Sequence, residues 1–355
     1  MTAKTRYFVI VSLLVMFVGL GTGLVAYYVG FPATAFFNGD GPAELKYLPN
    51  NASLVGYVEV REIMASDLRQ RLRQAMGAEQ DTGRRQFQEL TGINFETDIE
   101  RVIGGFDAGG PAGNNGLVIA RGVFDNVKIE ALMRDHGAQV QDYKGKRLIV
   151  ADHLGDIDKF RDPTATPEPR PTDPSFALTF MEPGLIAFGS TGLVQHAIDL
   201  HTGGGESAAT NDELVAHVRA LEGGNAWVVG RMDVLRSKTK LPDVVANQLP
   251  PVTWFGFRGR VDGGLQALVT AEAKDDDSAN MLRDVVRGFL ALAKLQTSSK
   301  PEFQRFVQSL QLGGTGKTVS LSLEVPAQVF DALGAAFPKQ PSAPNQPTAP
   351  NQPPQ

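Results

Sequence analysis

The sequence predicts an α+β protein, with an amino-terminal transmembrane helix followed by largely antiparallel sheets packed with helices. Three observations predict this fold. Residues 7–29 are predominantly apolar and carry no charge. Between residues 53 and 325, strand-like apolar runs alternate with stretches of helical periodicity. Neighbouring strands are joined by short turns, which suit antiparallel pairs because a parallel crossover needs a dozen residues or more.

The composition is that of a globular chain of 355 residues, of which 42% are hydrophobic and 21% are charged. Residues 1–39 contain Lys4 and Arg6 and no acid, so the rest has 32 basic and 39 acidic side chains and a net charge of −7. A body of this charge has no broad basic surface, which argues against nucleic acid as a partner. The absence of cysteine excludes disulfides, cysteine-based zinc sites and a thiol nucleophile.

Residues 7–29 are long enough to cross a membrane, since about 20 apolar residues span the bilayer core as a helix. Lys4 and Arg6 precede this segment, and the first charges after it are Asp40 and Glu44. The positive-inside rule therefore places the amino terminus in the cytoplasm and the body outside it. We expect a single-pass protein of the bacterial inner membrane with a periplasmic body.

Cleavage of this segment is the alternative, because residues 33–35 (ATA) resemble a signal-peptidase site and would place the cut after Ala35. The apolar stretch exceeds the roughly 7–15 residues of a signal peptide, which favours an uncleaved signal anchor.

Gly19 and Gly23 form a GxxxG spacing within the apolar segment. Such a spacing lets two membrane helices approach closely and predicts a homodimer contact. The alternative is that these glycines only reflect how common glycine is in membrane helices.

In the first half of the body, hydrophobic periodicity predicts alternating strands and helices, with Gly92 and Gly137 as helix stops and Asp125 as a helix cap. Ser190 or Thr191 is expected to cap a further helix. The predicted elements are a strand over 53–60, a helix over 61–76, a short helix over 84–92, a strand over 116–124, a helix over 126–137, a hairpin turning at Lys144-Gly145, a hairpin turning at 182–184 and a helix over 191–204.

Two proline-rich segments interrupt this pattern. Residues 161–175 lie between apolar stretches and indicate an exposed loop within the body. Residues 338–355 repeat the motif APNQP and hold no large apolar residue after Pro338, so we expect a disordered tail.

The second half resembles the first, which suggests two diverged internal repeats. GYVEV at 56–60 aligns with GRMDV at 230–234, and LVIARGVFD ending at Asp125 resembles LQALVTAEAKD ending at Asp275. We therefore divide the chain into a cytoplasmic tip and anchor over 1–39, a first α+β unit over 40–205, a second over 206–337, and the tail.

Three stretches, LPNNASLVGYVEVREIM, FETDIERVIGGF and GLIAFGSTGLVQHAIDL, resemble segments of an uncharacterised bacterial family of exported or membrane-anchored domains of unknown function. The resemblance covers mainly residues 46–235. It implies an extracytoplasmic α+β body and brings no catalytic residues with it.

The histidines and acids give no metal or cofactor motif. His196 and His201 are five residues apart with Asp199 between them, whereas a zinc helix needs a spacing of four and a glutamate beside the first histidine. The acids around His153, at 152, 156 and 158, match no EF-hand loop and indicate a solvated turn. The acids at 275–277 precede a helix and complement its dipole. We therefore name no catalytic, cofactor-binding or metal-binding residue.

The stretch GGTGKT at 313–318 resembles a phosphate-binding loop but lacks its first glycine, because Gln311 stands in that position. A helix-like run precedes it and a strand follows, which is the reverse of the order such a loop needs. We interpret Gly313 and Gly314 as a helix stop and Thr318 as the start of a strand. Residues 188–192 (FGSTG) likewise fail to match the nucleophile elbow of serine hydrolases.

Together these features predict a membrane-anchored extracytoplasmic binding or structural protein of a bacterial envelope, whose partner is another envelope protein. Two alternatives stay open. One is an extracytoplasmic hydrolase whose acids meet only in the fold, and a pocket of clustered acids and histidine would favour it. The other is a carrier of lipid or another apolar ligand, which a continuous apolar cavity would favour.

Overall fold

A computed structural model describes residues 42–70, 88–89, 91–107, 115–135, 137–151, 175–233, 250–297 and 307–326. The apolar segment 7–29, including Gly19 and Gly23, lies outside these residues, as do the proline-rich stretch 161–174 and the tail 338–355.

Among the helices that the structure describes, none combines the length and the apolar character needed to cross a membrane.

The described strands form one twelve-stranded sheet in the order β11-β12-β10-β9-β8-β1-β2-β3-β7-β6-β5-β4. All of its strand pairs are antiparallel, which confirms the mixed α+β class and the antiparallel pairing. The strands are β1 (Leu54–Val58), β2 (Ile99–Asp107), β3 (Asn115–Gly122), β4 (Gln139–Tyr143), β5 (Lys146–Ala151), β6 (Phe176–Glu182), β7 (Leu185–Ser190), β8 (Ala226–Arg231), β9 (Val252–Val261), β10 (Gly264–Ala273), β11 (Gln311–Gly313) and β12 (Thr318–Pro326).

The pair β1–β8 joins the two halves of the chain at the middle of the sheet. From this pair the order runs β1-β2-β3-β7 in one direction and β8-β9-β10-β12 in the other. Tyr57 of β1 lies opposite Trp227 of β8, and their ring centroids are 5.7 Å apart. Strands from both halves therefore belong to one hydrogen-bonded sheet.

In the described part of the chain, five α-helices of six residues or more and two 3-10 segments cover the sheet. The helices are α1 (Val60–Ala65), α2 (Asn126–Asp135), α3 (Thr191–Gly203), α4 (Asp212–Arg219) and α5 (Asp276–Thr297), and the 3-10 segments are Ala43–Tyr47 and Ala208–Thr210.

The inner face of the sheet, defined by Val55 and Tyr57 of β1, carries the largest core. Helices α3 and α4 and the segment Ala43–Tyr47 supply apolar side chains that pack on it. These side chains are Leu45, Tyr47, Val194, Ala197, Ile198, Leu214, Val215 and Val218. Because residues i and i+2 of a strand share a face, this core takes every second residue of the central strands.

The outer face is covered in separate patches. Helix α1 packs near Val102 and Val118, and α2 packs through Ile129 against Ile149. Helix α5 packs through Leu282 near the β10–β12 pair, where the buried residues are Ala273, Ala279 and Val319.

Both predicted hairpins are confirmed. Lys144 and Gly145 join β4 to β5 with φ angles of 52° and 76°, as a two-residue hairpin turn of the primed type requires. The second hairpin, β6–β7, turns at residues 183–184. Asp125 caps α2, since its Oδ1 accepts a hydrogen bond from the amide of Lys128 at 3.0 Å.

Three local predictions are wrong. The helix expected over 61–76 breaks at Ser66, whose hydroxyl donates to the carbonyl of Ile63. Gly313 ends a strand rather than a helix, because β11 pairs with β12. Ser190 precedes α3 without capping it by its side chain, and the hydroxyl of Thr191 donates to the carbonyl of Ser175 instead. In addition, β2 and β9 form strands that the periodicity did not predict.

Replacing Gly122 with alanine should destabilise the sheet, because a Cβ there would stand 2.1 Å from the carbonyl oxygen of Asp98. We expect Gly122→Ala to lower the free energy of unfolding by about 1–3 kcal/mol. Gly116→Ala, in the same strand, is the matched control. No atom lies within 4 Å of the position of its added Cβ, so its effect should stay within about 0.5 kcal/mol. Urea unfolding followed by circular dichroism measures both, and equal effects would contradict the prediction.

Candidate functional site

The 3-10 segment Ala43–Tyr47 inserts a carboxylate into the inner face of the sheet. Leu45 and Tyr47 of this segment are buried in the core, and the side chain of Glu44 is only 3% exposed. Leu48, which directly follows this segment, binds the second half of the chain. The carbonyl of Leu48 accepts from the amide of Ala208 at 2.9 Å, so the segment is held at both ends.

Glu44 binds two arginines on adjacent strands. Arg101 of β2 and Arg121 of β3 are directly opposite each other in the ladder. Like charges in that arrangement destabilise a sheet. Glu44 Oε1 accepts from both Nε atoms, at 3.2 Å from Arg101 and 2.7 Å from Arg121, and Arg121 also donates to Glu182 at 3.1 Å. The two opposed arginines therefore share one buried carboxylate, and Glu182 supplies a second negative charge at Arg121. We call Glu44, Arg101, Arg121 and Glu182 the arginine clamp.

The arginines keep Glu44 ionised. Burial on its own would raise the pKa of Glu44, but the hydrogen bond from Arg121 and the charge of Arg101 outweigh it, so the pKa lies below its ordinary value of 4.5. Glu44 Oε2 accepts no hydrogen bond from the described residues. Nearby, burial and the charge of Glu59 raise the pKa of Tyr57, whose hydroxyl donates to Glu59 at 3.4 Å.

These states determine what the arginine clamp can do. A carboxylate with a lowered pKa is a weak base and carries no proton to donate at neutral pH. Tyr57, with a raised pKa, stays protonated. The arrangement is therefore suited to fixing the position of residues 43–48 on the sheet rather than to proton transfer.

A second polar cluster, formed by α4, β9 and β10, surrounds His217. Its imidazole stacks on the indole of Trp254, with ring centroids 4.6 Å apart. His217 Nε2 lies 3.5 Å from Glu272, and the indole nitrogen of Trp254 donates to Glu213 at 2.8 Å. Because Glu213 and His217 are four residues apart on α4, they lie on the same side of the helix.

Burial lowers the pKa of His217, while the charges of Glu272 and Glu213 act in the opposite direction. The imidazole is therefore neutral at pH 7 and able to accept a proton. A neutral histidine beside two carboxylates is an arrangement that general acid–base catalysis uses. The cluster of His217, Glu213 and Glu272 is therefore the feature of the fold that favours a hydrolase.

The histidines and acid of α3 do not converge on one point. Asp199 lies 2.6 Å from the ammonium group of Lys144, and His201 Nδ1 lies 3.4 Å from the hydroxyl of Tyr47. In the ranges that the structure describes, no group of three histidines or acids is placed to hold a metal ion. The acids at 152, 156 and 158 lie outside those ranges. Asp275 caps α5 by accepting from the amide of Ser278 at 2.8 Å.

The stretch GGTGKT forms a hairpin turn between β11 and β12. Its backbone groups bind within the sheet, since the carbonyl of Lys317 accepts from the amide of Ala273 and the amide of Thr318 donates to Thr315. Thr318 begins β12, as expected from the sequence. No helix follows the turn directly, so it lacks the helix amino terminus on which a phosphate-binding loop depends.

The sequence contained only part of the signal for these two clusters. Arg101 and Arg121 stand next to apolar runs (RVIGGF and LVIAR), and a charged residue in such a run needs a buried partner. Nothing identifies that partner as Glu44, which lies 57 residues before Arg101. His217, Glu272 and Trp254 are also brought together only by the fold.

Comparisons with known proteins add no assignment. No protein-family model matches the chain, and no curated protein matches it. Crystal form III of TP0453 has a TM-score of 0.42 and 8% identity, over 84% of this chain and 99% of that chain. Crystal form I gives a TM-score of 0.40, 11% identity and coverages of 83% and 99%. Crystal form IV gives 0.39, 10%, 82% and 95%. Similarity at this level supports no conclusion about family or function.

Removing the charge of Glu44 should weaken the fold at neutral pH. Glu44→Gln removes the buried counter-charge that the two arginines share and leaves Arg121 only the partly exposed Glu182. We expect it to lower the free energy of unfolding by about 2–3 kcal/mol. The arginines are partly exposed, so solvent screening keeps the loss at the lower end for a broken buried pair. Glu182→Gln is the control. Its carboxylate is 38% exposed, so the loss should stay below about 1 kcal/mol.

The difference in unfolding free energy between the wild-type chain and Glu44→Gln should depend on pH. Since the folded pKa of Glu44 lies below its unfolded value, its contribution is complete above pH 4.5 and is lost as the pH falls through the folded pKa. The gap between the wild-type chain and Glu44→Gln should therefore shrink on acidification. A gap of constant size, measured by urea unfolding at several pH values, would be incompatible with the arginine clamp.

Proposed function

We propose that this chain is a membrane-anchored extracytoplasmic protein of a bacterial envelope, with a binding or structural role. Residues 7–29 form the anchor, Lys4 and Arg6 keep the amino terminus in the cytoplasm, and the acidic body lies outside it. The resemblance of residues 46–235 to exported and membrane-anchored domains supports the same placement. We propose neither nucleic acid nor nucleotide as a partner.

The observation that carries this proposal is the uncharged apolar run of residues 7–29, and the arginine clamp supports how the body is attached to it. The clamped segment begins at Ala43, and residues 30–41 are the 12 residues between the apolar stretch and Pro42, where the described chain begins. A chain of 12 residues spans at most about 40 Å when fully extended. A loose tether would not need a buried carboxylate held by two arginines. The clamp is suited to transmitting the position of an anchor to the sheet, so we infer that the body is held at a limited distance from the bilayer.

We also propose that the body consists of two diverged units over 40–205 and 206–337, followed by a proline-rich tail over 338–355. The outward strand orders β1-β2-β3-β7 and β8-β9-β10-β12 support this division. So does the pair of aspartate caps, Asp125 and Asp275, each of which follows the third strand of its series. In the membrane, Gly19 and Gly23 would form a contact between two copies.

An extracytoplasmic hydrolase is the second candidate, and the cluster of His217, Glu213 and Glu272 favours it. That candidate predicts turnover of chromogenic esters or phosphoesters that His217→Asn abolishes. The control is His201→Asn, because His201 contacts Tyr47 in the core rather than carboxylates. If the binding or structural role is correct, neither variant changes the hydrolysis rate measured with the purified full chain. A loss confined to His217→Asn would establish the hydrolase instead.

A reporter fusion tests the proposed topology. Alkaline phosphatase, which is active only outside the cytoplasm, should be active when fused after Gln355. Removal of residues 1–39 should make the same fusion inactive. If the segment is an uncleaved anchor, the fusion stays with the membrane after an alkaline wash, whereas cleavage after Ala35 would release it. An inactive full-length fusion would refute the proposed orientation.

A further inference from the structure

Helix α5 carries a second apolar stripe beside the one that packs on the sheet. Its buried stripe includes Ala279 and Leu282, which lie in the core near β10 and β12. The second stripe recurs at intervals of four and three residues, the spacing of a coiled-coil seam. Its members are Met281, Val285, Gly288, Leu292 and Leu295.

Much of this stripe is exposed in the described part of the chain, whereas Val285 is half-buried. The side chain of Met281 is 52% exposed and that of Leu292 is 50% exposed, although both are large and apolar. Gly288, between them, has no atom within 4 Å of the position that a Cβ would occupy. An exposed apolar stripe with a coiled-coil repeat indicates a surface that binds another helix.

The distribution of charge along α5 indicates the identity of the partner helix. Residues 276–286 contain three acids and one base, for a net charge of 1 − 3 = −2, and residues 287–297 contain two bases and no acid, for +2. A parallel copy of α5 would oppose like charges, whereas an antiparallel copy brings the negative half of each helix against the positive half of the other. The helix is therefore complementary to itself in the antiparallel orientation.

We infer that α5 is a self-association surface, on which the helix of a second copy of this chain packs in antiparallel orientation about a two-fold axis. The axis passes between Val286 and Arg287, at the midpoint of α5. In this register Met281 faces Leu292 of the second copy, and Val285 faces Gly288. The missing side chain of Gly288 leaves room for the valine. A two-fold contact is closed, so it makes a dimer and not a filament.

The dimer is expected to depend on protein concentration. The stripe contributes few large side chains from each copy, and stable interfaces bury roughly 1,200–2,000 Å². Covalent trapping is therefore a suitable measurement. The chain has no cysteine, so each introduced thiol is unique.

The experiment uses two full-length variants, Met281→Cys and Leu292→Cys, with different affinity tags, purified in detergent. Mixed and mildly oxidised, they should form a disulfide between the two tags. Each variant alone should not, because 11 residues of helix, about 16 Å, separate the two copies of either position. A disulfide needs Cα atoms within about 7 Å of each other. The control mixture combines Asp276→Cys and Lys294→Cys, two exposed positions on the side of α5 away from this stripe.

We expect the mixed disulfide to exceed both the single variants and the control mixture at least fivefold. Adding Leu292→Lys to the Met281→Cys partner should reduce it without altering the circular dichroism spectrum, since the side chain is half exposed. Equal yields from the control mixture would overturn the inference. A dimer held only through Gly19 and Gly23 would give no preference for the mixed pair, and a strong product from either variant alone would indicate parallel packing.

Discussion

The structure depends on one electrostatic constraint, the placement of two arginines directly opposite each other in neighbouring strands of the inner face. Arg101 and Arg121 would repel each other in that position without a buried counter-charge. Glu44 supplies it, and the segment that carries Glu44 also supplies Leu45 and Tyr47 to the core. Charge compensation and apolar burial therefore act on the same five residues. This coupling explains why a short 3-10 segment has a defined place on a large sheet.

The chain around Glu44 also connects the two halves of the protein. Beyond the arginine clamp, the carbonyl of Leu48 binds the amide of Ala208, and the side chain of Asn211, which caps α4, donates to the carbonyl of Asn50. The central pair β1–β8 adds a ladder of backbone hydrogen bonds between the halves. Displacing the clamped segment would therefore disturb α4 as well as β2 and β3. Since α4 also carries His217, the second polar cluster depends on the same packing.

The two faces of the sheet differ in how their apolar groups are covered. The inner face forms one core under α3 and α4, in which most large side chains are fully buried. Helix α5 has one stripe on the sheet and another, including Met281 and Leu292, in solvent. A protein that needed α5 only for its own core would not require a seam of coiled-coil spacing. We therefore regard the helix as an element that serves two surfaces, one within the chain and one between copies.

Local sequence patterns predicted the two hairpins, the Asp125 cap and the α+β class. These depend on turn chemistry and periodicity within a few residues, which a single chain segment contains. The partners of Arg101 and Arg121 and the surroundings of His217 become apparent only in the folded chain. Each of these depends on residues far apart in the sequence, because burial and charge compensation are set by which strands become neighbours.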